Sequence, residues 1–169
     1  MADPGRMLLD FLMALGKART RWLLIGRQAL IQYGAPMATM DHDLWADPSP
    51  DNLSKVRRVA RKAGLETTDG SWAWEGRDLV TLVHQEALKI DLFLVRAFTN
   101  LDGISITFDD AYERKIVAEV RGDPLHIPLP SLEVLRILKR MRDTARDQED
   151  LRYIDLLIRQ RRRPGAGGR

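Results

Sequence analysis

Leu23-Leu24-Ile25-Gly26 and, after a spacer, Thr39-Met40-Asp41-His42-Asp43-Leu44-Trp45 form the stretch that decides the fold. Its first part is an apolar run ending at a glycine, the pattern of a strand breaking into a turn. Its second part sets two carboxylates one residue apart among apolar neighbours. Strand side chains alternate with period two, so Asp41 and Asp43 would share one side and His42 would take the other. Aligned carboxylates beside a cleft can hold Mg²⁺ against a polyphosphate. An Asp-x-Asp pair in a solvated turn is the bland alternative, and short motifs of this kind often arise by chance.

Outward from this stretch, helical and strand periods alternate. Residues 5–19 read as a helix, with Leu8, Leu9, Phe11, Leu12 and Leu15 at helical spacing. Residues 21–25 and 41–46 read as strands. Residues 28–33 read as a helix stopped by Gly34 and Pro36, and 50–63 as a helix closed by Gly64. Residues 79–84 and 88–95 read as a hairpin, with Asp91 as an acid inside an apolar strand. Residues 116–121 and 125–128 suggest a short strand pair turned at Gly122-Asp123. Ser131 would cap a helix over 132–145, followed by a last helix over 148–160. The order predicts an α+β fold, with a small mixed sheet flanked by helices and a helical C-terminal part over about 131–158.

At 169 residues the chain suits one domain, expected over 1–158. It has no cysteine, which excludes disulfides and thiolate metal sites. No apolar run approaches the ~20 residues of a membrane span, so cytoplasmic residence is expected. The net charge of +3 belongs to residues 159–169, which hold five arginines and no acid. The remainder carries 22 basic and 24 acidic side chains. That end reads as a disordered basic tail, and RNA contact through it is the alternative.

Nucleotidyl transfer needs in-line positioning and neutralisation of triphosphate charge. Asp41, Asp43 and Asp91 could supply the metal-holding acids. Gly26, at a strand-to-helix turn, could let phosphates approach the backbone.

These residues resemble the nucleotidyltransferase superfamily of the DNA-polymerase-β type, and within it a small bacterial branch that includes the AbiEii-like toxins. The superfamily pattern is an apolar residue, Gly, a small residue, a spacer, then acid-x-acid. Here Ile25-Gly26-Arg27 is followed by thirteen residues and Asp41-His42-Asp43. Gly34, Pro36, Thr39 and Asp41 match a further element of the branch, and Ile90-Asp91-Leu92 fits its third acid. A later helix opening at Ser131, with Lys139, Asp147 and Asp150, fits its last motif.

The resemblance implies a metal-dependent enzyme that moves a nucleoside monophosphate from an NTP to an acceptor hydroxyl on RNA such as tRNA, a protein or a small molecule. It implies Asp41, Asp43 and Asp91 as catalytic and metal-binding residues for two Mg²⁺ ions, with Mn²⁺ as a substitute. It implies Gly26, Arg27 and Lys139 as nucleotide-binding residues. A toxin–antitoxin role, with an antitoxin as partner, is a further implication.

The pattern breaks at three positions. Arg27 replaces a small residue, Met37 replaces an arginine, and His42 replaces an apolar residue. A catalytically inactive binding module on the same fold is therefore the rival reading. His42 reads as a hydrogen-bonded structural histidine. Lys139, Arg142 and Arg146 lie at i, i+3 and i+7, a ridge that could meet the triphosphate or an acceptor RNA. For Arg142 and Arg146 the reading taken is the bland one, a solvated surface with Lys139–Asp143 and Arg146–Asp150 paired at i,i+4. Trp72 and Trp74 read as packing over the sheet, with base stacking as the alternative.

Overall fold

The computed structural model describes residues 3–85, 87–120, 122 and 125–162. Its main sheet has five strands: β1 (Trp22–Ile25), β2 (Asp43–Ala46), β3 (Glu66–Thr67), β4 (Leu79–His84) and β5 (Leu88–Phe93). They lie in the order β1-β2-β5-β4-β3. Only β2 and β5 run parallel, and their register sets Asp43 opposite Asp91. A parallel pair needs a long crossover, supplied here by the chain between residues 47 and 87.

Alternation then divides the sheet into two faces. Leu24, Leu44, Ile90 and Leu92 enter the large core with Phe11, Leu12 and Leu15 of α1 (Pro4–Lys17). α2 (Gly26–Gln32) adds Ala29 and Leu30, and α3 (Pro50–Lys62) adds Leu53, Val56 and Ala60. Leu23, Ile25 and Trp45 face the other way, into a smaller core. That core is closed by the hairpin of β6 (Ala97–Thr99) and β7 (Ser105–Thr107), by α4 (Phe108–Glu113) and by Val134 of α5 (Leu132–Lys139). Asp43 and Asp91 belong to this second face by period, at its open end.

Local chemistry accounts for the elements. Asp3 caps α1, accepting from the Gly5 N–H at 3.0 Å, and Pro4 presets the first turn. Asp51 in the first turn of α3, and Arg61 and Lys62 in its last, oppose the helix dipole. Trp45 is fully buried, and its indole N–H reaches the Val95 carbonyl at 2.8 Å.

The α+β architecture with a small mixed sheet is the one expected, with instructive differences. β2 begins at Asp43, so Asp41 and His42 precede it; the Asp91 N–H donates to the His42 carbonyl at 2.9 Å and links that residue to the ladder. The helix expected over 132–145 ends at Lys139, and a separate α6 (Ala145–Arg162) follows. Thr144 makes the break: its hydroxyl oxygen accepts from the Asp147 N–H at 3.1 Å, so a new helix starts there. α6 continues through Arg162, with the Arg161 guanidinium 4.8 Å from the Tyr33 ring centre. Residues 159–162 are thus helical rather than tail, and 163–169 lie outside the described residues. The strand pair is β8 (Ile116–Glu119) with β9 (His126–Leu129); Asp123 of its expected turn also lies outside them. Trp74 is fully buried and stacks on Trp72 at 5.6 Å, the packing role expected. Among the described residues no helix is long and apolar enough to cross a membrane.

Candidate active site

A cleft of about 480 Å³ opens where β1, β2 and β5 meet α5 and α6. Gly26, Asp41, Asp43, Asp91 and Lys139 all line it. Five of the six residues singled out from the sequence therefore share one cavity. Arg27 is the exception.

The floor is the Asp43–Asp91 pair. Parallel pairing puts the two residues side by side, a position where like charges repel. Burial raises the Asp43 carboxyl above its ordinary value, and the charges of Asp91 and Asp41 push it the same way; Lys139 and Arg142 pull against them. Asp91 is held by two partners. The Thr81 hydroxyl donates to its Oδ1 at 2.6 Å, and Lys89 Nζ stands 3.1 Å from its Oδ2.

Gly26 forms the edge beside Asp43. Its φ is +69°, a conformation that penalises any Cβ. A Cβ there would also stand 2.5 Å from Asp43 Oδ2. Glycine is required twice over, by backbone shape and by the carboxylate in front of it.

Arg27 begins the next turn with its side chain against α6. Its Nη2 donates to Glu149 Oε2 at 2.7 Å, and its Nε lies 2.9 Å from Asp150 Oδ1. Asp150 is fully buried, and its other oxygen meets Lys139 Nζ at 2.5 Å. The two contacts to Asp150 have ion-pair distances without hydrogen-bond alignment, so charge rather than directed bonding matches them. The phosphate contact expected of Arg27 has no geometric support: the guanidinium is committed to α6. The same contacts tie Lys139 to Arg27 through one carboxylate.

Arg142 and Arg146 line the cleft too, contrary to the solvated helix pairs expected for them. The end of α5 at Lys139 removes the i,i+4 geometry of Lys139 and Asp143. Arg146, though one turn from Asp150 within α6, turns to Asp41 while Asp150 is buried against Lys139 and Arg27. Lys139 pairs with Asp150 and lies 3.9 Å from Asp147, not beside Asp143. Arg146 reaches Asp41 Oδ2 at 3.2 Å and the Thr39 hydroxyl at 3.1 Å. Arg142 Nη2 lies 3.6 Å from Asp147 Oδ1. Burial pushes the Asp147 carboxyl up, but the Thr144 hydroxyl, Arg142 and Lys139 outweigh it and hold it below the ordinary range. A signal for this arrangement was present in Thr144-x-x-Asp147, a capping pattern that starts a helix.

His42 does not line the cleft, in keeping with a residue pointing away from the acids. Its Nδ1 is buried without a hydrogen-bond partner among the described residues, so that nitrogen is not the bonded one expected of a structural histidine. Burial lowers its pKa, with Asp41 partly opposing.

Opposite the charges, Ile25, Phe93, Phe98, Leu135, Leu138 and Met141 form an apolar wall. Sequence reading passed over it because β6 and its hairpin were not foreseen. Asp102-Gly103, at the tip of that hairpin, is a turn signal that marks it.

Among the described residues no three or more histidine, aspartate or glutamate side chains stand together as a ready-made metal cage. Mg²⁺ seldom uses such a cage; one or two carboxylates, waters and substrate phosphates hold it. The floor fits that requirement. Its donors are all oxygen, Asp43 and Asp91 are side by side, and the repulsion that raises Asp43 is what a dication relieves.

No family model matches the chain, and no curated protein matches its sequence. Solved structures do match its shape. A candidate nucleotidyltransferase from Thermotoga maritima, TM1012, is 16% identical with a TM-score of 0.58, over 95% of this chain and 93% of that one. The lincosamide antibiotic adenylyltransferase LnuA, solved with lincomycin bound, is 17% identical with a TM-score of 0.63, over 90% and 96%. The antibiotic-resistance factor ANT(2'')-Ia is 12% identical with a TM-score of 0.57, over 95% and 94%. Near-complete coverage in both directions shows that the helical C-terminal part is shared as well as the sheet. The chain has the nucleotidyltransferase fold.

Proposed function

We propose that the chain is a metal-dependent nucleotidyltransferase. It would move a nucleoside monophosphate from an NTP to an acceptor hydroxyl. The observation that carries this reading is the Asp43–Asp91 pair, in register on parallel strands at the floor of a cleft with Gly26 on its edge and cations on its rim.

Asp43 and Asp91 would hold Mg²⁺, with Asp41 as the third acid once Arg146 releases it. Bound there, the ion supplies neutralisation of triphosphate charge and lowers the cost of deprotonating the acceptor. Asp91 accepts the proton of the acceptor hydroxyl while the acceptor oxygen bonds to the α-phosphorus. The bond from that phosphorus to the bridging oxygen breaks, and pyrophosphate leaves. The acceptor gains the nucleotidyl group, so atoms and charge balance. Gly26 lets phosphate approach the backbone where any side chain would intrude. Lys139 and Arg142 face the triphosphate. Arg27 acts through Asp150, as the residue that positions Lys139.

The apolar wall gives an acceptor or a base a surface to lie on. RNA, a protein hydroxyl and a small molecule are the acceptor classes in question. The AbiEii-like branch, and with it a toxin role and an antitoxin partner, rests on the Gly34, Pro36, Thr39 and Asp41 matches. The rival, an inactive binding module, draws support from one observation: Arg27 occupies the usual small-residue position and turns to α6.

The test is turnover. Purified protein is incubated with each α-labelled NTP and Mg²⁺, with total RNA, with protein or with hydroxylated small molecules, and pyrophosphate release and label transfer are followed. Metal-dependent release that Asp43→Asn abolishes is expected. No release with any NTP in Mg²⁺ or Mn²⁺ favours the inactive module.

A further inference from the structure

α3 carries cations along two edges, and the chain treats the edges differently. Arg57 donates to Glu75 Oε1 at 2.6 Å and lies 6.0 Å from the Trp74 ring centre. Arg61, one turn on, stands 4.6 Å over Trp72. This edge is covered by a loop of the same chain that offers a carboxylate and an aromatic surface. Arg58 and Lys62, also one turn apart, face α1. Their side chains meet no ion-pair, hydrogen-bond or ring partner among the described residues, and neither does that of Lys17 at the end of α1. Lys55 adds a fourth charge and is held by Asp51 at 2.9 Å.

Between the two helices runs a groove of about 660 Å³. Its floor is apolar: Phe11 and Val59 lie buried below half-exposed Met7, Ala14, Ala18 and Ala63. Asp10 is the sole acid among its described lining residues, and Arg6 already neutralises it at 3.0 Å. The alanines at 14 and 18 stand one turn apart and leave room for incoming side chains. α1 and α3 pack on the Leu44–Leu92 face of the sheet, away from the acids, so the groove is separate from the cleft.

We propose that this groove docks an acidic amphipathic helix of a protein partner. Apolar side chains of that helix would seat on the alanine-lined floor, and its flanking carboxylates would pair with Lys17, Arg58 and Lys62. The 71–75 loop shows the same chemistry meeting the other edge of α3 within one chain. A nucleic-acid backbone would satisfy the cations and leave the floor against charge and water, so the floor favours a helix. The proposal stands apart from the nucleotidyl-transfer reading and survives its failure.

The test uses fluorescence anisotropy of a labelled helical peptide with Leu at i, i+3, i+4 and i+7 and Glu on either flank. A Lys-for-Glu version and a single-stranded oligouridine of similar length are the comparisons. The Glu peptide is expected to bind, the Lys version not to, and the triple variant Lys17→Glu, Arg58→Glu, Lys62→Glu to weaken binding at least about tenfold. Ala14→Arg, which fills the trough without removing a cation, is expected to weaken it too. If the triple variant fails to fold by circular dichroism, Arg58→Gln with Lys62→Gln takes its place. No binding of the Glu peptide, binding unchanged in the variants, or tighter binding of the RNA to the same face overturns the proposal.

Discussion

Asp150 and Asp41 both meet cations beside the same cleft, in opposite surroundings. Asp150 is fully buried between Arg27 and Lys139, whose side chains are only 14% and 13% exposed. Asp41 meets Arg146 with both side chains more than half exposed. Removing one member of a buried set strands the others without water, at a cost of about 3–5 kcal/mol. An exposed pair contributes about 0–1 kcal/mol and exchanges readily with solvent or ligand. The buried set therefore fixes α6 against α2 and holds Lys139 in place. The exposed pair leaves Asp41 and Arg146 free to take new partners. One side of the cleft is scaffold and the other can respond.

Substitutions on the two sides should separate accordingly. The largest effect is chemical: on the proposed function, Asp43→Asn should lower kcat by about 10²–10³-fold or more, since it removes a carboxylate that would hold Mg²⁺ against the triphosphate. Asp150→Ala should come next, destabilising the fold by about 3–5 kcal/mol in urea unfolding. Arg27→Ala should fall below it, because Lys139 still pairs with Asp150. If Asp150→Ala costs no more than Arg146→Ala, the division into scaffold and responsive sides is wrong. Gly26→Ala should cost about 1–2 kcal/mol for its backbone conformation alone, and should lower activity further by displacing the Asp43 carboxylate. Arg146→Ala should change stability by less than about 1 kcal/mol while raising the KM for the NTP.

The pH dependence follows from Asp43. Its folded pKa lies above its ordinary value, so folding favours the protonated form. Its contribution is fully present below the unfolded value of about 3.9 and is lost as pH rises through the folded value. Asp43→Asn should therefore melt above the wild type at neutral pH, and the gap should close in acid below about pH 4. A wild type that is the more stable at neutral pH would mean that the crowding of carboxylates is already relieved within the protein.

The sheet was largely legible because apolar runs at Leu23–Ile25, Leu79–His84 and Leu88–Phe93 are bounded by turn residues, and burial enforces their alternation. Asp43 and Asp91 were legible for the same reason: acids inside core strands stand out. Asp41 was misread as a strand residue because period two was extended past the point where the ladder ends. Arg142 and Arg146 depart from the solvated surface expected because the helix expected over 132–145 stops at Lys139 and a new one starts after Thr144, three residues before 148, which turns both arginines toward Asp147 and Asp41. Arg27 could not be placed from sequence, since its partners are 122 and 123 residues away. Tertiary pairing of that range leaves no local period to read.

The most direct measurement is thermal unfolding with Mg²⁺ and each NTP, alone and together, for the wild type and for Asp43→Ala. One or more NTPs should raise the wild-type melting temperature only when Mg²⁺ is present, and Asp43→Ala should show no such rise. A rise that persists in Asp43→Ala, or none with any NTP in the wild type, would contradict the assignment of the Asp43–Asp91 floor as the nucleotide–metal site.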